Sequence, residues 1–276
     1  MDTPPTSPPS ASPAQPATVS KPVPLTRSVQ AAIWVFLLVG LTVPAGWFLP
    51  AGLNMLGVSL LLLGVLVVLG RTIVGNPLGA LVNDVNVMSL SRFQMACWTV
   101  VILAAYFTYV LTRMRLGEAD ALKVVIDPHL WALLGISTTS LVGSALIQNV
   151  KKNTEPATDV AARTAAATAE TPSEVDANRQ GTLYGNPDKS DARFTDMFQG
   201  DELINTTHID LPKVQMFFFT IIAVFAFLLM VVKTLHGLHP DLTTLPVPPE
   251  GLIAVLTISH AGYLTGKSFS STPAQK

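Results

Sequence analysis

From Phe93 to Thr112 twenty consecutive residues carry no Asp, Glu, Lys or Arg. Coiled as an α-helix, that many residues reach about 30 Å, the thickness of a bilayer's hydrocarbon core. A segment of this kind must satisfy its own backbone polar groups once water is gone, which restricts it to a spanning helix. Comparable apolar blocks occupy 29–49, 53–70, 129–147, 214–232 and 250–266, the last being the shortest and least apolar. Charged residues make up 13% of the chain, against about 25% in a soluble domain. The expectation is an all-α, polytopic integral membrane protein with six transmembrane helices.

The block at Phe93 has a counterpart further along. Leu90, Arg92, Gln94, Met95, Trp98 and Thr99 align with Leu211, Lys213, Gln215, Met216, Phe219 and Thr220 at a constant offset of 121 residues. Ile136-Ser137 matches Ile258-Ser259 at an offset of 122, and Gly-Asn-Pro precedes both copies at 75–77 and 185–187. Polar positions recur as well as apolar ones, so the reading is a tandem repeated helix pair behind a leading hairpin. Each repeat holds an even number of spans, so both have the same orientation.

This divides the chain into a Pro-rich disordered cytoplasmic tail (1–28), a first hairpin (29–74), repeat 1 (75–147), an acidic, partly disordered cytoplasmic insertion (148–213), repeat 2 (214–268) and a short polar tail (269–276). Eight prolines in residues 1–26 exclude a helix or a core there. Residues 155–212 hold eleven acidic and four basic side chains, net −7. An anionic bilayer face would repel that charge, so the insertion projects into solvent or meets a basic partner. Tyr184, Phe194, Phe198, Asp201 and Glu202 are its partner-binding candidates.

Cations set the orientation. Arg71, Arg92, Lys151, Lys152, Lys213 and Lys267 are read as interface anchors. Nine cations at one set of helix ends, against four at the other, place both termini in the cytoplasm of a bacterial inner or plasma membrane. The 113–127 loop, with three cations on the outer side, is the weak point of that assignment.

Residues suited to chemistry are sparse. His236, His239 and Asp241 could hold a divalent metal by ligand type, but Pro240 interrupts helical spacing and no further groups to orient the ligands are evident. AGYLTGKS at 261–268 has the outline of a phosphate loop, but no strand precedes it. Gly262 and Gly266 read better as a helix-packing pair that leaves self-association open, and Gly135, Thr139 and Gly143 as a small-residue stripe. His260 is the one ionisable group well inside a predicted span, read as a structural histidine facing Ser137 or Thr138. Gln94, Thr99, Gln215 and Thr220 form either interhelical clamps or the polar lining of a pathway. The aspartates near 188–202 lack the spacing of a calcium loop. A single cysteine, Cys97, excludes a disulfide within the chain.

No catalytic constellation and no cofactor site emerges, and a net charge of −1 gives no basic field for nucleic acid. The expected function is a non-enzymatic membrane anchor or scaffold, with the bilayer and a cytoplasmic protein assembly as partners. It docks the cytoplasmic assembly through the Pro-rich tail and the acidic loop. The alternative is a channel or transporter subunit for a small neutral solute; a membrane enzyme ranks third.

Overall fold

The computed structural model describes residues 25–237 and 240–275. The Pro-rich tail ahead of Leu25 and the metal candidate His239 lie outside the described residues. Among the described residues there are eight α-helices and three short 3-10 turns; the α-helices are α1 Leu25–Phe48, α2 Leu53–Ile73, α3 Leu90–Arg115, α4 Pro128–Lys152, α5 Val160–Thr168, α6 Pro172–Asn178, α7 Leu211–Leu235 and α8 Glu250–Ser268. The protein is a helical, multi-pass membrane protein. Five of its helices, α1, α2, α3, α4 and α7, are long and apolar enough to span a bilayer. The sequence reading expects six; α8, at 19 residues, is not among the five.

The helices overrun the apolar blocks at several ends. Asp210 receives the Lys213 backbone N–H at the start of α7, and Asp127 does the same for His129 at the start of α4. Side-chain oxygens at these positions stabilise the free amides of a first turn, so caps rather than hydropathy set the boundaries. Lys213 therefore lies within α7, and Lys151 and Lys152 lie in the last turn of α4, where the Asn153 side chain donates to Asn149 O. Pro44 sits inside α1 without ending it.

α3 is the central helix. It packs against α1, α2, α4 and α7, while α8 packs on α4 and α7. Trp98, Tyr109, Leu130, Leu133 and Phe227 are fully buried between these helices, with Ala104, Ala105 and Ala223 allowing close approach. Trp98 meets Phe227 edge-to-face at 6.4 Å. Outward-facing residues such as Phe36, Leu60, Ile222, Phe225 and Leu229 are more than half exposed. In water this would be an extended apolar patch; in lipid it is the surface a spanning helix requires.

At one end the loops 116–127 and 240–249 close on each other, with Val125 N–H donating to Thr243 O at 2.7 Å. The Arg113 side chain donates to Glu118 and to Lys123 O there. Lys123 pairs with Asp120, so the cations of the weak-point loop are largely matched locally.

At the other end residues 74–89, 153–210 and 269–275 form a folded cap. α5 and α6 occupy the stretch expected to be disordered or weakly helical, and Val160, Ala165, Val175 and Leu203 give it a small core. Asn86 and Asn186 exchange side-chain-to-carbonyl hydrogen bonds at 2.9 and 2.8 Å, joining loops 100 residues apart.

Candidate functional site

The cap is fastened to the helix ends by charge. Asp201 accepts from Lys213 Nζ of α7 and from Lys267 Nζ of α8, both at 2.7 Å. Lys213 also donates to Gln199 O, and Lys267 to the Tyr263 hydroxyl. Next along the chain, Glu202 accepts from Lys151 Nζ of α4 at 2.5 Å. The three lysine side chains are only 4–7% exposed. Glu202 also takes backbone N–H groups from Ser271 and Thr272 and the Ser270 hydroxyl. Lys152 reaches Asp84 beside them. Four of the six predicted interface anchors are thus ion-paired to carboxylates of the chain itself. The basic partner of the acidic insertion includes its own helix ends.

Burial alone would raise the Asp201 carboxyl, but Lys213 and Lys267 outweigh it and hold the group well below the ordinary carboxylate range. Glu202 is lowered in the same way against burial, by Lys151 and the Ser271 and Thr272 amides. Opposite charge and hydrogen bonds to the ionised form favour it.

Of the partner-binding candidates, Asp201 and Glu202 are therefore committed within the chain. Phe198 packs on Phe217 of α7 at 5.0 Å, and Phe194 lies on the same aromatic cluster while staying 45% exposed. Tyr184 lines a cavity of about 570 Å³ in the cap with Glu170, Asp191, Arg193, Asp196 and Asp201. Its hydroxyl donates to Glu170, and burial together with that carboxylate pushes it up to about 12. With Asp201 matched by its two lysines, three carboxylates against one guanidinium make this basin unfavourable for an anion.

Within the bundle, Gln94 donates to the Thr220 hydroxyl at 2.6 Å, fully buried between α3 and α7. The equivalent Thr99 and Gln215 do not meet; both are exposed. Gln94→Leu should therefore destabilise the helix pair by about 1 kcal/mol, while Gln215→Leu should leave it unchanged. Thermal unfolding in detergent distinguishes the two, and equal effects would rule out the clamp.

His260 bonds to Ser140 of α4 at 2.5 Å, rather than to the expected Ser137 or Thr138. The buried seam of α4 is Ser137, Ser140 and Ser144. Of the glycine stripe, Gly143 abuts Leu264 of α8, while Gly135 faces open space. Gly262 and Gly266 also face outward: a methyl group added at either would meet nothing within 4 Å. Arg71 is exposed at the end of α2. Arg92 is half-buried and, among the described residues, has no hydrogen-bond or ion-pair partner. His236 turns back to Val232 O, and Asp241 accepts from Thr243. Among the described residues no three His, Cys, Asp or Glu side chains gather as a metal site would require.

No family model matches the chain, and no curated protein or solved structure matches it.

Proposed function

We propose that the protein is a non-enzymatic membrane anchor that holds a rigid acidic cap at one bilayer face for a soluble assembly to dock on. The observation that carries this reading is the junction of Lys151, Lys213 and Lys267 with Asp201 and Glu202. It fixes the cap to three helices and still leaves Glu174, Asp188 and Asp191 exposed on the cap and, among the described residues, free of ion pairs. A basic partner surface is the complement of that face, with rim charges governing encounter and salt sensitivity. The Pro-rich tail would add a second contact on the same side.

In this reading α8 is the sixth span and both termini are cytoplasmic, on the side of the cap. The parallel pairing supports it: α8 follows α4 from Ser140–His260 to Ser144–Tyr263. α7 likewise follows α3 from Phe93–Phe217 to Trp98–Phe227. Two parallel pairs are what tandem repeats about an axis along the membrane normal would give. The unreciprocated Gln94–Thr220 bond marks divergence between them. The dense packing of Trp98, Ala104, Ala105 and Phe227 inside the bundle favours an anchor over a solute pathway.

The test is charge reversal of the exposed face. Asp188→Lys with Asp191→Lys should leave membrane insertion intact and cost about 1 kcal/mol of stability, the scale of the lost Asp188 cap on Ser190 N–H. Crosslinking to a soluble partner in the native membrane should fall sharply and lose its salt dependence. Unchanged crosslinking would sink the docking reading.

A further inference from the structure

The cations at the cap end are treated unequally. Lys151, Lys152, Lys213 and Lys267 are each matched to a carboxylate of the chain. Arg92, in the first turn of α3, is not. It lies near enough to Asp84 to influence that carboxylate, but Asp84 is held by Lys152. Arg92 instead lines a cleft of about 360 Å³ between α1, α2, α3 and α4, with Ala80 of the 74–89 loop beside it at the cap end. Below it the walls are apolar, including Leu66, Ala96, Leu103 and Leu141, and Thr99 is the one other polar lining residue. From Arg92 to Leu103 the cleft follows α3 for eleven residues, about 16 Å at the helical rise. It therefore runs from the level of the headgroups toward the middle of the bilayer. The positive end of the α3 dipole lies at the same level as Arg92, and Ser89 does not cap it with its side chain.

We propose that this cleft is a binding site for an anionic phospholipid of the cap-side leaflet, whose phosphate pairs with Arg92 and one of whose acyl chains lies along Ala96 to Leu103. A half-buried guanidinium without a carboxylate needs an anion, and its fork matches phosphate oxygens. An apolar trough opening beneath it inside the membrane selects a chain-bearing phosphate over a free one. Basic pockets between spanning helices hold lipid headgroups by this combination of charge and shape. The site does not depend on the docking function.

The test is native mass spectrometry of the full chain extracted from phosphatidylcholine vesicles containing phosphatidylglycerol. The parent protein is expected to retain phosphatidylglycerol in preference to phosphatidylcholine. Arg92→Gln should retain roughly tenfold less, the equivalent of one lost charge-assisted contact. Ala96→Leu, which fills the trough and keeps the cation, should lose it as well. Arg71→Gln, an exposed cation at the same end, should behave like the parent. The proposal is overturned if Arg92→Gln retains the lipid, or if Arg71→Gln loses as much, which would indicate diffuse surface attraction. Should Arg92→Gln fail to fold, retention by Ala96→Leu would overturn it and loss would support it.

Discussion

Asp201→Asn is expected to loosen the cap from the bundle and destabilise the protein by about 3–5 kcal/mol, the range for stripping one partner from a buried ion pair. The cost does not come mainly from the lost attraction. Lys213 and Lys267 are 4% and 5% exposed, and both would be left charged with no carboxylate between them. An amide oxygen can accept one hydrogen bond from each but cannot neutralise either. Replacing Asp201, Lys213 and Lys267 together with Met should recover much of the loss, because no uncompensated charge then remains. The measurement is the thermal midpoint of the full chain in detergent, with limited proteolysis of residues 153–210 reporting on the cap. If Asp201→Asn melts with the parent and its cap resists protease equally, the junction does not hold the cap.

The same junction sets the response to acid. The ordinary pKa values of the Asp201 and Glu202 carboxyls are 3.8 and 4.5, and both are lowered in the folded protein. A depressed carboxylate contributes its stabilisation fully above its unfolded value and loses it as pH falls through the folded one. Cap docking should therefore persist through neutral and mildly acidic pH and weaken only below about pH 4.

How much of this was legible in the sequence differs by level. The apolar blocks were readable because a bilayer allows few solutions to a long uncharged run. The ends were less so: Lys151 and Lys213 sit past the apolar blocks but inside helices extended by their caps. Which of Gln94, Thr99, Gln215 and Thr220 can meet follows from helix geometry. Five residues apart, Gln94 and Thr99 lie about 140° from each other around α3, so one neighbour cannot receive both. Gln215 and Thr220 differ by the same angle, and it is Gln94 and Thr220 that meet. Gly135 and Gly143, eight residues apart, lie about 80° from each other and two turns apart along α4, and only the latter reaches α8. The serines of α4 carry that contact, since they are small enough for close approach and can also hydrogen-bond.

The cap is legible only in part. The stretch through Gln180 is poor in large apolar residues and reads as disordered or weakly helical when considered alone. Beyond its own small core, what holds it lies elsewhere in the chain: lysines at three helix ends, Phe217 of α7, and the 74–89 loop. One signal was available. Residues 155–212, of net −7, stand at the same membrane face as Lys151, Lys152, Lys213 and Lys267, and adjacent Asp201 and Glu202 can point to different cations. Charge complementarity between segments can be read from sequence, whereas which carboxylate meets which lysine cannot.

Ending the chain at Ser268 is expected to release the cap's far side while leaving the membrane helices intact. Residues 269–275 are few and polar, yet they act as a strap. Ser271 and Thr272 donate backbone N–H groups to Glu202. Ala157 N–H donates to Pro273 O, and Gln275 N–H to Glu155 O. Lys151 also donates to Phe269 O. Without the strap Glu202 keeps only Lys151, and hydrogen bonds to a buried charge each contribute about 1.5–3 kcal/mol. Ordering seven residues opposes that gain at about 1 kcal/mol or more of backbone entropy each. The net effect on global stability should therefore be modest, with a larger effect on local opening of the cap. Amide hydrogen exchange separates the two. Residues 155–183 should exchange at least roughly tenfold faster in the shortened chain, while α3 and α7 keep the parent's protection. Glu202→Gln in the full chain should reproduce part of this change, since the strap's N–H groups would then meet a neutral acceptor. If the shortened chain exchanges like the parent across 155–183, the strap contributes nothing to the cap and the ion pairs hold it alone.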